Sequence, residues 1–243
     1  MIWHDVDQRS PAWFALRLGL PTASNFHRII TPKKLKISEQ RGSYRNLLLA
    51  EFITGVPMES FVSKSMERGT ENEDKARSAY EMLTDTETTR GGFFTAYDGM
   101  AGCSPDALIG SAGDLEIKCV EIQTQVGYAI DGVEDDHKIQ MQGRLLIEER
   151  EYVDLFSYNE MLCLPILRVN RHEETIKAID AALRQFIDEL LAARLLLEQR
   201  YGPFSRPQAE EPDHSEDGIT QADEEMIIAG LKQSGALAAE EKP

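Results

Sequence analysis

The chain has 243 residues, 42% hydrophobic and 28% charged, which excludes wholesale disorder and fibrous structure and suits one large domain or two small ones. The net charge is −16, which weighs against broad contact with a polyanion, because phosphate binding draws on Lys and Arg. The charge is uneven, however: residues 1–60 carry +3 and residues 206–243 carry −7, so a DNA partner is not excluded and its footprint would be small and local.

No apolar run approaches the roughly 18 residues of a membrane span. Met1–Phe14 lacks the basic-then-apolar order of a secretory leader. A cytoplasmic protein without a membrane partner is the expectation. Cys103, Cys119 and Cys163 are odd in number and widely spaced, with no CxxC. That spacing argues against a zinc ribbon and against a cluster held by four thiolates, and predicts buried free thiols.

In chain order, Ser43–Ile53 reads as a helix that Gly55 ends, and Thr70–Leu83 as a second, acidic at its start. Ala76, Ala79, Tyr80 and Leu83 give the second helix one apolar face. Gly91–Tyr97, Ala101–Ile109 and Asp114–Val120 read as three strands of a meander, separated by Asp98-Gly99 and by Gly110–Gly113. Helical spacing returns over Asp136–Glu149. Strands follow at Tyr152–Tyr158 and Leu164–Val169, and a long amphipathic helix at Glu173–Tyr201. The order predicts an α/β (α+β) fold around a central mixed β-sheet flanked by helices. After Gly202-Pro203 the sequence turns acidic and Pro-rich. A core of residues 1–205 and a flexible acidic tail of 206–243 are therefore expected, with Thr220–Leu231 a candidate short helix.

Asp106, Glu116 and Lys118 form the chemically suggestive group. On adjacent antiparallel strands, Asp106 and Glu116 could lie close together, and Glu116 and Lys118 share a strand face. Two carboxylates with a backbone carbonyl make a hard oxygen site suited to Mg²⁺ or Mn²⁺. A nearby lysine can orient a water whose pKa the metal lowers. The same spacing also arises as solvated strand charge, but here the strand is otherwise apolar, so its charges belong at a site or an edge. Glu73 could supply a further carboxylate and Gln140 could bind a water or a phosphate. Thr22–Ser24 precede an apolar, helix-like run, Phe26–Ile30. A helix N-terminus there would offer free N–H groups to a phosphate, with Arg17 adding a charged contact.

Taken together, these residues resemble the PD-(D/E)xK nuclease superfamily, and within it the bacteriophage lambda exonuclease (YqaJ-type viral recombinase) family. The resemblance rests on Ala12-Trp13, Leu16–Gly19 and Thr22–Ser24, on Gly69 through Glu73 to Ala76-Arg77, on Cys103–Leu108, on Leu115–Cys119, and on Gln140-x-Gln142. It spans about residues 12–145 and implies a PD-(D/E)xK core. It implies a Mg²⁺-dependent exonuclease that digests linear double-stranded DNA processively from 5′ to 3′. It also implies a ring-shaped homotrimer and a single-strand annealing protein as partner in phage-type recombination.

Carried over by position, Asp106, Glu116 and the Ile117 carbonyl match metal ligands and Lys118 the catalytic lysine. Glu73 and Gln140 match the helix glutamate and the motif glutamine. Arg17, Ser24 and Ser104 match residues that hold a terminal 5′-phosphate, and Met66 stands where an apolar wedge enters the DNA end. Two alternatives remain open: another PD-(D/E)xK nuclease of restriction or RecB-like type, or a catalytically inactive DNA-end-binding protein.

Overall fold

The computed structural model describes residues 1–58, 64–133 and 135–204, with the backbone alone for 64–71 and 135–136. Met66, the expected wedge, lies where the backbone alone is described, and the tail with its candidate helix lies outside the described residues. All described residues belong to the first of two units, Met1–Pro207 and Gln208–Pro243.

Two sheets organise the fold. The larger has five strands: β2 (Thr89–Arg90), β5 (Ala107–Ile109), β6 (Gly113–Cys119), β7 (Tyr152–Tyr158) and β8 (Leu167–Asn170), side by side in that order. β6 and β7 are parallel and the other pairs antiparallel. The smaller sheet joins β1 (Ile2–His4), β3 (Phe93–Ala96) and β4 (Ala101–Cys103), all antiparallel. The expected meander is thus corrected. Its second strand is two strands in two sheets, parted at Ser104-Pro105-Asp106, where proline supplies no N–H to continue a ladder.

Helices cover both faces of the larger sheet. α3 (Lys64–Thr84) starts earlier than its apolar pattern indicates. It packs Ala76 and Tyr80 against Leu115, Ile117 and Phe156. Tyr80 Oη donates to Asp154 on β7 at 2.7 Å, and Arg168 on β8 grips the same carboxylate with two bonds of 2.8 Å. On the opposite face lies α5 (Asp135–Glu148), with Met141 and Leu145 against Val153 and Leu155. The parallel β6–β7 crossover runs through α5 and through α4 (Ile122–Asp131), a helix that the sequence reading left unassigned. Buried Gln125 ties α4 to β7: its Nε2 donates to Ser157 O and Leu162 O, and Ser157 Oγ donates to its Oε1.

Outside α5 lie α2 (Arg41–Thr54) and α6 (Glu173–Tyr201). Leu48, Leu183, Phe186 and Leu190 join the main apolar core there. Arg41 of α2 clasps Glu189 of α6 through two bonds of 2.9 and 3.1 Å. No helix among the described residues is long and apolar enough to cross a membrane.

α5 also meets a short 3₁₀ helix, Ala23–Arg28, at a point of close approach. A Cβ built on Gly143 would lie 2.5 Å from the ring of buried Phe26. In an ordinary helix Gly→Ala gains about 1 kcal/mol. Here overpacking reverses the sign, so Gly143→Ala should destabilise the protein by about 1–3 kcal/mol. Chemical denaturation reads this directly, and a gain in stability would show that the two helices separate freely.

Candidate active site

β6 carries charge on one face only. Asp114, Glu116 and Lys118 alternate with Leu115, Ile117 and Cys119, so the two sets point to opposite sides of the sheet. Leu115 and Ile117 meet α3. The charged set meets α5, where Gln140, Arg144 and Glu148 recur every fourth residue along one helix face. Gln140 Nε2 donates to Glu116 Oε1 at 2.8 Å, and Lys118 Nζ lies 2.5 Å from the same oxygen. Arg144 pairs with Glu116 Oε2 and with Asp114 Oδ1, and it donates to Leu115 O at 3.1 Å.

Charge in an apolar strand was expected at a site or at an edge. β6 is the middle strand of its sheet, yet Glu116 is only 4% exposed and Asp114 and Arg144 are fully buried. Glu148, also buried, accepts a hydrogen bond from the Cys103 thiol at 3.2 Å and lies 3.7 Å from Arg144 Nε. Burial pushes the Asp114 and Glu148 carboxyls up, against the pull of Arg144. Burial works against the Arg144 charge, but Asp114 and Glu148 sustain it. Of the three cysteines, all free thiols, Cys103 is buried while Cys119 is half-buried and Cys163 exposed, so the expectation of buried thiols holds for one.

Asp106 reaches this strand from its open side. β5 pairs with β6 from Ile109↔Gly113 only as far as Ala107↔Leu115. The Asp106 N–H then donates to Leu115 O at 3.2 Å, and Asp106 Oδ2 accepts from Ile117 N at 2.6 Å. A carboxylate therefore takes the place of the next rung. The N–H and C=O of one strand residue point the same way, so the Ile117 carbonyl emerges on this edge, beyond the last residue that β5 pairs. Glu73 on α3 borders a cleft of about 360 Å³ shared with Arg9, Arg90 and Asp106. Arg9 lies 3.3 Å from Glu73 Oε2. Burial and the nearby Asp106 raise the Glu73 carboxyl, against the pull of Arg9.

Two of the three candidate phosphate residues, Arg17 and Ser104, meet at Trp13 of α1 (Pro11–Arg17). Trp13 Nε1 donates to Ser104 Oγ at 2.9 Å, and the Arg17 guanidinium stacks 4.1 Å from the Trp13 ring. Ser24 Oγ lies 3.2 Å from Thr22 Oγ1, and Thr22 bridges to Gly102, two residues before Ser104. The helix expected over Phe26–Ile30 is instead the six-residue 3₁₀ helix from Ala23, with no side-chain cap from Thr22. Gln142, in the same motif as Gln140, faces elsewhere: it bonds Asn170 O and His172 N and pins the β8–α6 junction.

Among the described residues, no three His, Cys, Asp or Glu side chains come together as a metal-holding group. What the structure gives is Asp106 bonded to the N–H of Ile117, the residue after Glu116, so that two carboxylates and a strand carbonyl belong to, or touch, two consecutive residues of β6. These hard oxygens suit Mg²⁺ or Mn²⁺ rather than a thiophilic metal. Sequence reasoning missed Arg144. Its signal was a polar or charged residue every four along one helix face, Gln140, Arg144 and Glu148, matched to charges every two on β6.

A mixed sheet flanked by helices, with Asp106, Glu116 and Lys118 where β6 loses its neighbour, is the architecture of a PD-(D/E)xK-type nuclease core. Residues 12–151 match the YqaJ-like viral recombinase domain, and the chain belongs to that family. It is similar to the alkaline exonuclease LHK-Exo of Laribacter hongkongensis, at 29% identity and TM-score 0.71 over 79% of this chain and 97% of that one. The structure of LHK-Exo in complex with dAMP is similar to the same degree. A phage related exonuclease from Haemophilus somnus 129PT, 14% identical, shares the fold at TM-score 0.54 over 72% of this chain and 96% of that one. No curated protein matches the chain.

The buried carboxylates predict a pH signature. Because burial raises the Glu148 carboxyl in the folded chain, the folded state keeps a proton that the unfolded state has lost. Stability then declines as pH rises from the ordinary carboxyl range toward the raised value. Glu148→Gln removes this contribution. Its metal-free Tm should fall less than that of the wild type as pH rises above the ordinary carboxyl range. Parallel Tm curves would mean that Glu148 is ionised throughout.

Proposed function

We propose that this chain is a divalent-metal-dependent exonuclease that hydrolyses linear double-stranded DNA processively from 5′ to 3′ and releases mononucleotides. The observation that carries the reading is Glu116 held by Lys118 and Gln140 beside Asp106, in a chain of this family. The nucleotide in the LHK-Exo complex is a monophosphate, in keeping with such a product.

Asp106, Glu116 and the Ile117 carbonyl would hold Mg²⁺, with Mn²⁺ able to substitute. The ion would supply a water of lowered pKa and neutralise charge developing on phosphorus. Lys118, beside Glu116, orients the attacking water and holds or passes its proton. Gln140 fixes the Glu116 carboxylate from α5. Glu73 adds a carboxylate across the cleft from Asp106. Arg17, Ser24 and Ser104 take the terminal 5′-phosphate, with Trp13 setting Arg17 and Ser104 in place.

The same reading includes a homotrimeric ring around the duplex, a single-strand annealing protein as partner, a cytoplasmic setting, and residues 1–205 as the catalytic domain. The tail of 206–243 acts as an acidic tether.

The decisive assay uses an end-labelled linear duplex and a closed circle with Mg²⁺. The wild type should release mononucleotides from the duplex and spare the circle. Asp106→Ala should abolish release while keeping the fold, and Lys118→Ala should lose about 10²–10⁴-fold in rate. Wild-type turnover in Asp106→Ala would remove the site assignment, and cleavage of the circle would point to an endonuclease.

The phosphate pocket makes a separate prediction. A charge-assisted hydrogen bond is worth about 1.5–3 kcal/mol. Arg17→Ala should therefore slow digestion of 5′-phosphorylated ends roughly 10- to 150-fold, with much less effect on 5′-hydroxyl ends. An unchanged ratio between the two ends would place the pocket elsewhere.

A further inference from the structure

We propose that Arg9 is a further DNA-binding residue: it takes a backbone phosphate of the strand lying in the Glu73–Asp106 cleft, exchanging its carboxylate partner for the phosphodiester. This deepens the nuclease reading and rests on it.

Arg9 is held over the cleft by its backbone. It is a non-glycine residue with φ of +67°, in a corner closed by the Ser10 N–H on Asp7 O at 3.1 Å. Two side-chain bonds fasten that corner to the turn bearing Asp106. Gln8 Nε2 donates to Pro105 O at 2.8 Å, and Ser10 Oγ caps α1, whose Trp13 bonds Ser104. Residues 8 and 13 thus bracket Arg9 and are each tied to a neighbour of Asp106. The backbone from which the side chain springs is thereby fixed, and Arg9 lines the cleft that Glu73 and Asp106 share.

The chemistry of that wall calls for a cation. Asp7, Glu73, Asp74 and Asp106 all border the cleft, and a polyanion entering it meets carboxylates on every side. Three arginines border it as well, and they are not equivalent. Arg77 pairs with Asp74 on its own helix, and Arg90 lies between Asp5 and Asp7. Arg9 alone among the three pairs with Glu73, through one contact of 3.3 Å, with 47% of its side chain exposed. An ion pair so open to water adds little to stability. A phosphate offers the guanidinium a two-pronged partner instead. The exchange puts Arg9 on the substrate and leaves Glu73 facing the reacting centre.

Binding without cleavage tests this. The full chain is titrated with a 5′-phosphorylated linear duplex in chelator over a range of salt. Losing one phosphate contact reduces the slope of log K against log salt by about 0.9. Arg9→Gln should show that reduction and about 10-fold weaker binding at low salt, whereas Arg9→Lys, which keeps the charge, should recover most of the slope. In a Glu73→Gln background Arg9→Gln should cost the same again. A loss that vanishes there would mean that Arg9 acts only by supporting Glu73 and would overturn the proposal. So would Arg9→Gln with wild-type slope and affinity. If the wild-type chain binds no duplex at all, the nuclease reading falls first. If it binds and Arg9→Gln changes nothing, only the assignment of Arg9 falls.

Discussion

A single buried guanidinium sets the terms for the candidate site. Arg144 has no solvent to lean on, and three carboxylates, Asp114, Glu116 and Glu148, lie around it. Breaking a buried pair by removing one partner typically costs about 3–5 kcal/mol, because the abandoned charge stays in low dielectric. Here three carboxyls would lose that partner at once. Lys118 adds a second cation at Glu116 and Arg150 Nε lies 3.7 Å from Glu148 Oε2, yet Asp114 Oδ2 and Glu148 Oε2 have no hydrogen-bond partner among the described residues. Apolar residues could fill the same volume at less electrostatic risk. What the ionic seam adds is orientation. With Oε2 on Arg144 and Oε1 on Lys118 and Gln140, the Glu116 carboxylate has one rotational setting on β6.

That setting matters because the other side of β6 is deliberately incomplete. A strand whose ladder ran on would use the N–H and C=O of Ile117 for pairing, leaving nothing for chemistry. β5 instead stops at Ala107, and the chain turns through Ser104-Pro105-Asp106 into the smaller sheet. Asp106 satisfies the N–H of Ile117 with its side chain and so keeps the edge open without leaving a donor unpaired. The break between the two sheets and the gathering of the site are one structural event. Trp13 and Gln8 hold the turn from outside, which explains why a short N-terminal corner carries so many side-chain bonds.

How much of this was legible follows from the range of the forces involved. β7 at Tyr152–Tyr158 and α6 at Glu173–Tyr201 match the sequence reading to the residue, because each has its own apolar period and clear ends. α4 escaped: its stretch contains Gln123, Thr124, Gln125 and Gly127, and Glu121 offers no side-chain cap. Its anchor is Gln125 bonding to β7 across 32 residues, which no local pattern records. The meander failed at Pro105 for the same reason, since strand partners are set by tertiary pairing. At the site, Asp106, Glu116, Lys118 and Gln140 stood out as charged or polar residues in family-like blocks, and the structure brings them to one strand edge. Arg144 did not stand out, because an arginine on a helix reads as solvent-facing until the strand beneath it is known.

The acidity of the chain acquires a physical role in this frame. A protein of net charge −16 gains little from diffuse attraction to DNA, and its overall field opposes approach. Binding must then come from a few short contacts whose geometry is fixed in advance. The two contacts proposed above are of that kind: Arg17 stacks on Trp13 and Arg9 stands at a left-handed corner. For a processive exonuclease of the kind proposed above, this is an advantage. Long-range attraction holds every register of the duplex equally and slows release of a charged product, whereas local contacts engage one end, let go, and re-form one nucleotide further on.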